Sequence, residues 1–250
     1  MPSAQLSAGP TAVWVYGGPH SQYVKEAWEL TVEPYRQALV RAGFAVVTTD
    51  NRGTANRGLL FESTNAGVFG TVEIDDQVAV LEALAARGEV DVEQVAITGT
   101  SYGGFMTVLA MARRPDVFRV GVAGAPVVDW HGYDSAYTER YLGLPADNSE
   151  GYQRSSLLPQ IDGLRGRLLI LHGTVDENVH PRHTANLAEA LRAAGHDAVV
   201  VTLSEERHLL ARPESRKRWL TLAIDHLRDT MSRPTAEAGG ARASRGQAAS

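Results

Sequence analysis

Ser101 stands in Gly99-Thr100-Ser101-Tyr102-Gly103, directly after the apolar run Val95-Ala96-Ile97 and directly before the helix-forming stretch Gly103–Arg113. Strand, sharp turn and helix in that order are what a nucleophile elbow requires. The turn holds the serine backbone under strain so that its hydroxyl projects beyond the sheet, and glycines flank it because neighbouring chain leaves no room for side chains. G-x-S-x-G alone is weak in a chain with 24 glycines, where ordinary turns produce it by chance. Its context gives it weight. A serine hydroxyl is a poor nucleophile near neutral pH, so it needs a general base, and that base needs a carboxylate to fix its tautomer.

Elbows of this kind place the groups in the chain order serine, acid, histidine. Asp176 follows the apolar run Leu168-Leu169-Ile170-Leu171 in His172-Gly173-Thr174-Val175-Asp176, just past a strand's carboxyl end, where an open sheet displays its reactive groups. Its rivals are the adjacent Glu177 and Asp162 ahead of the strand. Of the eight histidines, His208 follows the acid on a loop after the next strand. His20, His131, His180, His183 and His196 fall in other loops or near helix ends, His172 precedes the acid, and His226 lies inside the last helix. The oxyanion of acyl transfer needs two fixed donors, and the Tyr102 N–H is one by position. The second must come from Val15-Tyr16-Gly17-Gly18-Pro19-His20-Ser21-Gln22, where the Tyr16 phenol can donate unless it merely ends a buried strand. Asp75 and Asp76 are expected to complement the positive end of their helix.

Positioning these groups requires a sheet. Apolar runs at Ala12–Tyr16, Phe44–Thr49, Gln94–Thr98, Arg119–Val122, Arg167–Leu171 and Ala198–Val201 read as strands. Between them, Glu33–Ala42, Asp75–Ala86 and Ala185–Ala194 read as helices closed by Gly43, Gly88 and Gly195, and a last helix spans Pro213–Arg228. Continuous apolar strands alternating with helices predict an α/β fold with a mostly parallel sheet and helices on both faces. The rhythm breaks between Pro126 and Pro159, where short helices lining a site are expected. Residues 1–10 read as a short lead, 11–231 as one domain, and 232–250, rich in Ala, Gly, Ser and Arg, as a disordered tail.

At 250 residues with 44% hydrophobic and 21% charged composition, the chain suits one substantial domain. A net charge of -5, with cations scattered among acids, supplies neither a basic stripe for nucleic acid nor a polybasic membrane anchor. Cysteine is absent, which excludes disulfides, thiolate nucleophiles and thiolate metal ligands. No apolar run approaches a membrane span and the start lacks a signal-like pattern, so a cytoplasmic location is the default expectation.

Several motifs together resemble the catalytic domain of the prolyl oligopeptidase family, closest to its dipeptidyl peptidase IV-like branch. They are Tyr16-Gly17-Gly18-Pro19-His20-Ser21-Gln22, Asp50-Asn51-Arg52-Gly53, Gly70-Thr71-Val72-Glu73 with Asp76-Gln77, Thr100-Ser101-Tyr102-Gly103-Gly104, the run Asp134–Pro145 and the run His172–His180. The resemblance covers nearly all of Val13–His208 and implies an α/β-hydrolase fold. It also implies Ser101 as nucleophile, Asp176 and His208 as its partners, and Tyr16 with Tyr102 as oxyanion donors. It further implies a small apolar pocket for proline or alanine walled by Val127, Trp130, Tyr133, Tyr137 and Val179, with Asn178 holding a substrate carbonyl. Aromatic faces stack well on a flat pyrrolidine ring. The sequence departs from that family in having no β-propeller, in starting almost at the strand that carries Tyr16, so that the N-terminal strands are expected to be missing or reduced to Met1–Pro10, and in flanking His208 with Arg207 and Leu209.

The expectation is a serine peptidase domain that cleaves short peptides after Pro or Ala through an acyl-enzyme, without metal or cofactor. A general carboxylesterase, or a non-catalytic remnant that lost turnover with its propeller, are the alternatives. A homodimer or a separate propeller chain is an expected partner beside the peptide substrate.

Overall fold

The computed structural model describes residues 9–28, 33–93 and 95–231. Most of the expected lead, the expected tail and Gln94 lie outside the described residues. Six strands form one sheet: β1 (Thr11–Trp14), β2 (Ala45–Val47), β3 (Val95–Thr100), β4 (Phe118–Gly124), β5 (Arg167–Gly173) and β6 (Val199–Leu203). Their order is β2-β1-β3-β4-β5-β6 and every pairing is parallel. Eight helices are described: α1 (Pro34–Arg41), α2 (Leu59–Glu62), α3 (Val72–Ala86), α4 (Tyr102–Arg113), α5 (Ser135–Leu142), α6 (Ser149–Ser155), α7 (Arg182–Ala193) and α8 (Pro213–Met231).

Side chains alternate across a strand, so each buried strand feeds two cores. Val13, Ile97, Leu168 and Ile170 pack on one face with Ile74, Val78 and Leu81 of α3, Phe105 and Leu109 of α4, and Leu187 and Leu191 of α7. Ala12, Ala96, Val122, Leu169 and Leu171 pack on the other with Leu39 of α1 and Trp219, Ala223 and Leu227 of α8. The two cores explain why these strands read as unbroken apolar runs: both faces are covered. Each fully buried Leu, Ile or Phe contributes about 1.5–3 kcal/mol from removal of apolar surface, which fixes strand register and with it the placement of the loops at the sheet's carboxyl edge.

Boundaries differ modestly from expectation. α3 begins at Val72 rather than Asp75, because Glu73 enters the first turn as a buried side chain instead of preceding the helix. β4 runs on to Gly124, two residues past the expected end, since its last carbonyl holds the elbow. α7 begins at Arg182 rather than Ala185, and β2 is confined to Ala45–Val47. Gly43, Gly88 and Gly195 have φ of +95°, +72° and +77°, the left-handed stops expected of them. The segment after Pro126 folds as expected into short helices: a 3-10 turn at Trp130–Gly132, then α5, α6 and a second 3-10 stretch at Leu158–Gly163. Among the described residues no helix is long and apolar enough to cross a membrane.

Candidate active site

Ser101 sits between β3 and α4 with φ 63° and ψ -118°, a strained conformation for a residue with a side chain. Two observations account for its persistence. Its N–H donates to the Gly124 carbonyl at 2.8 Å, and its own carbonyl accepts from Phe105 N–H at 3.0 Å, so the turn is clamped between β4 and the first turn of α4. A Cβ at Gly99 or Gly103 would overlap the Val15 carbonyl, which is the physical reason for glycine on both sides of the serine. Tyr102 opens α4, so its N–H lies among the first helical N–H groups, which have no intrahelical acceptor and can face an anion.

Asp176 lies three residues past β5, with 4% of its surface exposed. Its Oδ1 accepts the N–H groups of Asn178 at 2.9 Å and Val179 at 2.8 Å. Its Oδ2 faces two imidazoles, His208 Nδ1 at 2.8 Å and His172 Nε2 at 3.2 Å. Burial alone would push this carboxyl upward, but hydrogen bonds from His172, His208 and the Val179 N–H outweigh it and hold it well below the usual carboxylate range. His208 donates Nδ1–H to that charge, which leaves Nε2 free to accept a proton. Ser101 and His208 line the same cleft of about 390 Å³, with no hydrogen bond joining them in this arrangement. Such contacts often tighten only when substrate is bound.

The His208 loop is braced from below. Val175 N–H donates to the Glu206 carbonyl at 3.0 Å, and the Glu206 carboxylate accepts from Ala211 N–H at 2.8 Å and Arg212 Nε at 2.5 Å. Hydrogen bonds from Arg212, then Ser215, and more weakly the Ala211 N–H, hold the Glu206 carboxyl down at about 2.

Tyr16 follows β1 and also lines the cleft. Its ring stacks on Tyr23 at 5.1 Å and 7°, and its hydroxyl lies 3.5 Å from His20 Nε2. Burial, then the neighbouring tyrosines, push its phenol up, so it remains an O–H donor. The loop carrying it is held by the Asp50-Asn51-Arg52 motif. Asp50 accepts Tyr23 N–H at 2.7 Å and Val24 N–H at 2.9 Å, and Asn51 donates to the Gly17 carbonyl at 3.0 Å. Arg52 reaches Asp76 at 2.7 Å. That contact corrects the expectation for Asp76: it is the carboxylate partner of Arg52, while Asp75 does lie in the first turn of α3.

Tyr133, Tyr137 and Asn178 line the other wall. The two tyrosine rings meet edge to face at 5.5 Å, and Tyr133 O–H donates to Asn178 Oδ1 at 3.0 Å. Trp130 is 1% exposed and lies behind them, 5.6 Å from the Tyr133 ring and nearly parallel to Tyr137. Val127 and Val179, expected as wall residues, are as buried as Trp130 and share with it the core cluster against which Tyr133 and Tyr137 pack. Six cleft residues escaped the sequence reading as site residues: Trp14, Val15, His20, Tyr23, Thr100 and Leu209. His172 did too, because a histidine inside a buried strand looks like packing; its Nδ1 lies 2.7 Å from Thr184 Oγ1, and only the fold shows its other nitrogen on the acid. No group of three or more His, Asp or Glu side chains among the described residues could hold a metal ion.

An all-parallel sheet whose carboxyl edge presents a strained serine, an imidazole on a buried carboxylate, and free helix-start N–H groups is an α/β-hydrolase arrangement. Residues 31–233 match the prolyl oligopeptidase family, and the chain belongs to that family of serine peptidases. It is 40% identical over 227 residues to human dipeptidyl peptidase 8, covering 89% of this chain and 25% of that protein. It is 34% identical over 226 residues to mouse prolyl endopeptidase FAP, covering 89% of this chain and 29% of that one. Among solved structures, a putative dipeptidyl aminopeptidase IV from Bacteroides ovatus superposes with a TM-score of 0.86 at 34% identity, over 92% of this chain and 32% of that one. Dipeptidyl peptidase 4 of Porphyromonas gingivalis gives 0.80 at 33% identity, over 90% and 32%. The chain thus spans about a quarter of the length of the curated relatives it matches.

Proposed function

We propose that this domain hydrolyses short peptides after proline or alanine through an acyl-enzyme on Ser101. The observation that carries the reading is the 2.8 Å contact of His208 Nδ1 with the buried Asp176 carboxylate, beside Ser101 in one cleft. Asp176 holds His208 in the tautomer whose Nε2 can take the Ser101 proton as Oγ attacks the substrate carbonyl. The resulting oxyanion is met by the Tyr102 N–H and the Tyr16 O–H. His208 then passes its proton to the leaving amine, and water attacks the ester with the same imidazole as base.

Specificity for the residue before the cleaved bond falls to Tyr133 and Tyr137 backed by Trp130, aromatic faces suited to a flat ring. Because Asn178 Oδ1 is occupied by the Tyr133 hydroxyl, its Nδ2 is left to donate to a substrate carbonyl. The names of the relatives, dipeptidyl peptidase and prolyl endopeptidase, support peptide cleavage and, in the second case, cleavage at proline.

Labelling with a fluorophosphonate, with Ser101→Ala as control, tests the nucleophile. Turnover of alanyl-proline anilide against p-nitrophenyl acetate tests the substrate. Labelling of Ser101 with proline-anilide turnover is expected; ester turnover alone would replace the reading with a general esterase, and folded but unlabelled protein would end it. Tyr137→Ala should cut proline-anilide turnover more than acetate turnover, and equal losses would refute the pocket.

A further inference from the structure

We infer that an apolar basin on the far side of His208 is the subsite for the leaving-group residue and that it selects a bulky apolar or aromatic side chain there. The inference rests on the peptidase reading above. A second cavity, also about 390 Å³, is bordered by Trp14, Tyr35, Thr100, His208, Leu209 and Trp219. It shares Trp14, Thr100, His208 and Leu209 with the cleft that holds Ser101. The two cavities therefore adjoin, with His208 on the rim of both, and only the first carries Tyr133, Tyr137 and Asn178.

The chemistry assigns the two cavities. In acylation His208 delivers its proton to the departing nitrogen, so the leaving residue must lie against the imidazole, opposite the wall that receives the acyl portion. On that side the described lining is apolar. The Trp14 and Tyr35 rings lie 5.1 Å apart at 39°, Trp219 is 6% exposed at the bottom, and Leu209, immediately after the base, is 83% exposed at the mouth. Among the described residues no carboxylate borders the basin, and the one described cation, Arg216, is turned onto the carbonyls of Leu210 at 2.6 Å and Ala211 at 3.3 Å. A cationic side chain would find no partner there, whereas an aromatic ring would cover exposed Leu209 and meet Trp14 edge or face.

Aminolysis of the acyl-enzyme reads this subsite without involving the proline pocket. An amine bound against His208 gives up a proton to Nε2 as its nitrogen forms the C–N bond; the C–Oγ bond of the ester breaks and the proton passes to Ser101 Oγ, the reverse of acylation. With alanyl-proline p-nitrophenyl ester as donor, phenylalanine amide is expected to divert acyl-enzyme from water about ten-fold more effectively than glycinamide, in line with burial of one aromatic side chain, and lysine amide to do no better than glycinamide. Leu209→Ser should bring the phenylalanine-to-glycine ratio toward one, and Tyr35→Ala, on the opposite wall, should lower it independently. Equal partition among the amides, with acyl-enzyme formed and Ser101 labelled, would overturn the subsite alone. Failure to form an acyl-enzyme would overturn the peptidase reading and this inference with it.

Discussion

Asp176→Asn isolates the role of a single proton. The two oxygens of Asp176 have unlike surroundings: Oδ1 accepts two backbone N–H groups at 2.9 and 2.8 Å, while Oδ2 faces His208 Nδ1 at 2.8 Å and His172 Nε2 at 3.2 Å. An asparagine must keep its oxygen toward the backbone donors, because an NH2 there would confront two N–H groups. Its NH2 is then directed at the imidazoles and donates to His208 Nδ1, which forces the proton onto Nε2. A His208 protonated at Nε2 cannot accept from Ser101. The loss expected from a triad locked in the wrong tautomer is about 10⁴ in turnover, equivalent to about 5 kcal/mol of transition-state stabilisation. The NH2 also meets the His172 Nε2–H, which the Val179 carbonyl at 2.8 Å keeps in place, so the variant should melt lower as well. The assay is the rate of Ser101 labelling by a fluorophosphonate together with ester turnover, with folding followed by circular dichroism. Asn should be at least as inactive as Ala despite being isosteric with Asp. A folded Asp176→Asn within tenfold of the parent would refute the tautomer argument.

Three further outcomes follow from other contacts. Gly103→Ala places a Cβ on the Val15 carbonyl, so loss of soluble folded protein or of all labelling is expected in expression and probe assays; a fully active variant would show that the elbow has room. Glu73→Gln should stabilise the protein increasingly as pH rises: the Glu73 carboxyl is raised by burial, so its ionised form is disfavoured in the fold and stability is lost as pH climbs through its folded value, a loss glutamine does not suffer. The melting-temperature gap between variant and parent should therefore be wider at pH 8 than at pH 5. Glu206→Gln should weaken the strut under the His208 loop, lowering turnover with little change in KM, because the strut positions the base and touches no substrate.

The sheet was legible because its strands are buried on both faces and so stand out as apolar runs between helices. The pairing of Asp176 with His208 was legible because chain order and strand ends fix which loops share an edge. What escaped had no local signature. His172 looks like any histidine in a buried strand, and its contact with Asp176 depends on the turn that brings the acid back under the strand end. Asp76 reads as a helix-start acid, yet Arg52, 24 residues earlier, claims it through a loop whose shape no periodicity encodes. Val127 and Val179 carry the right chemistry for a pocket wall, but their depth depends on the cluster they share with Trp130, against which the half-buried Tyr133 and Tyr137 pack, and no local pattern encodes that depth.

The two buried carboxylates flanking the reaction centre are set apart by their surroundings, and the division bears on catalysis. Asp176 accepts two backbone N–H groups and two imidazoles, enough to keep its charge. Glu73 is fully buried and gathers Gly70 N–H and the Tyr102 hydroxyl on one oxygen, at 2.8 and 2.9 Å, while its other oxygen has no partner. A buried carboxyl so placed favours its neutral form. Tyr102, whose N–H is the proposed oxyanion donor, is anchored by its side chain to this carboxyl, which burial pushes up toward its neutral form. One carboxylate therefore faces the imidazole whose positive charge it can balance, and the other anchors the side chain of the proposed oxyanion donor.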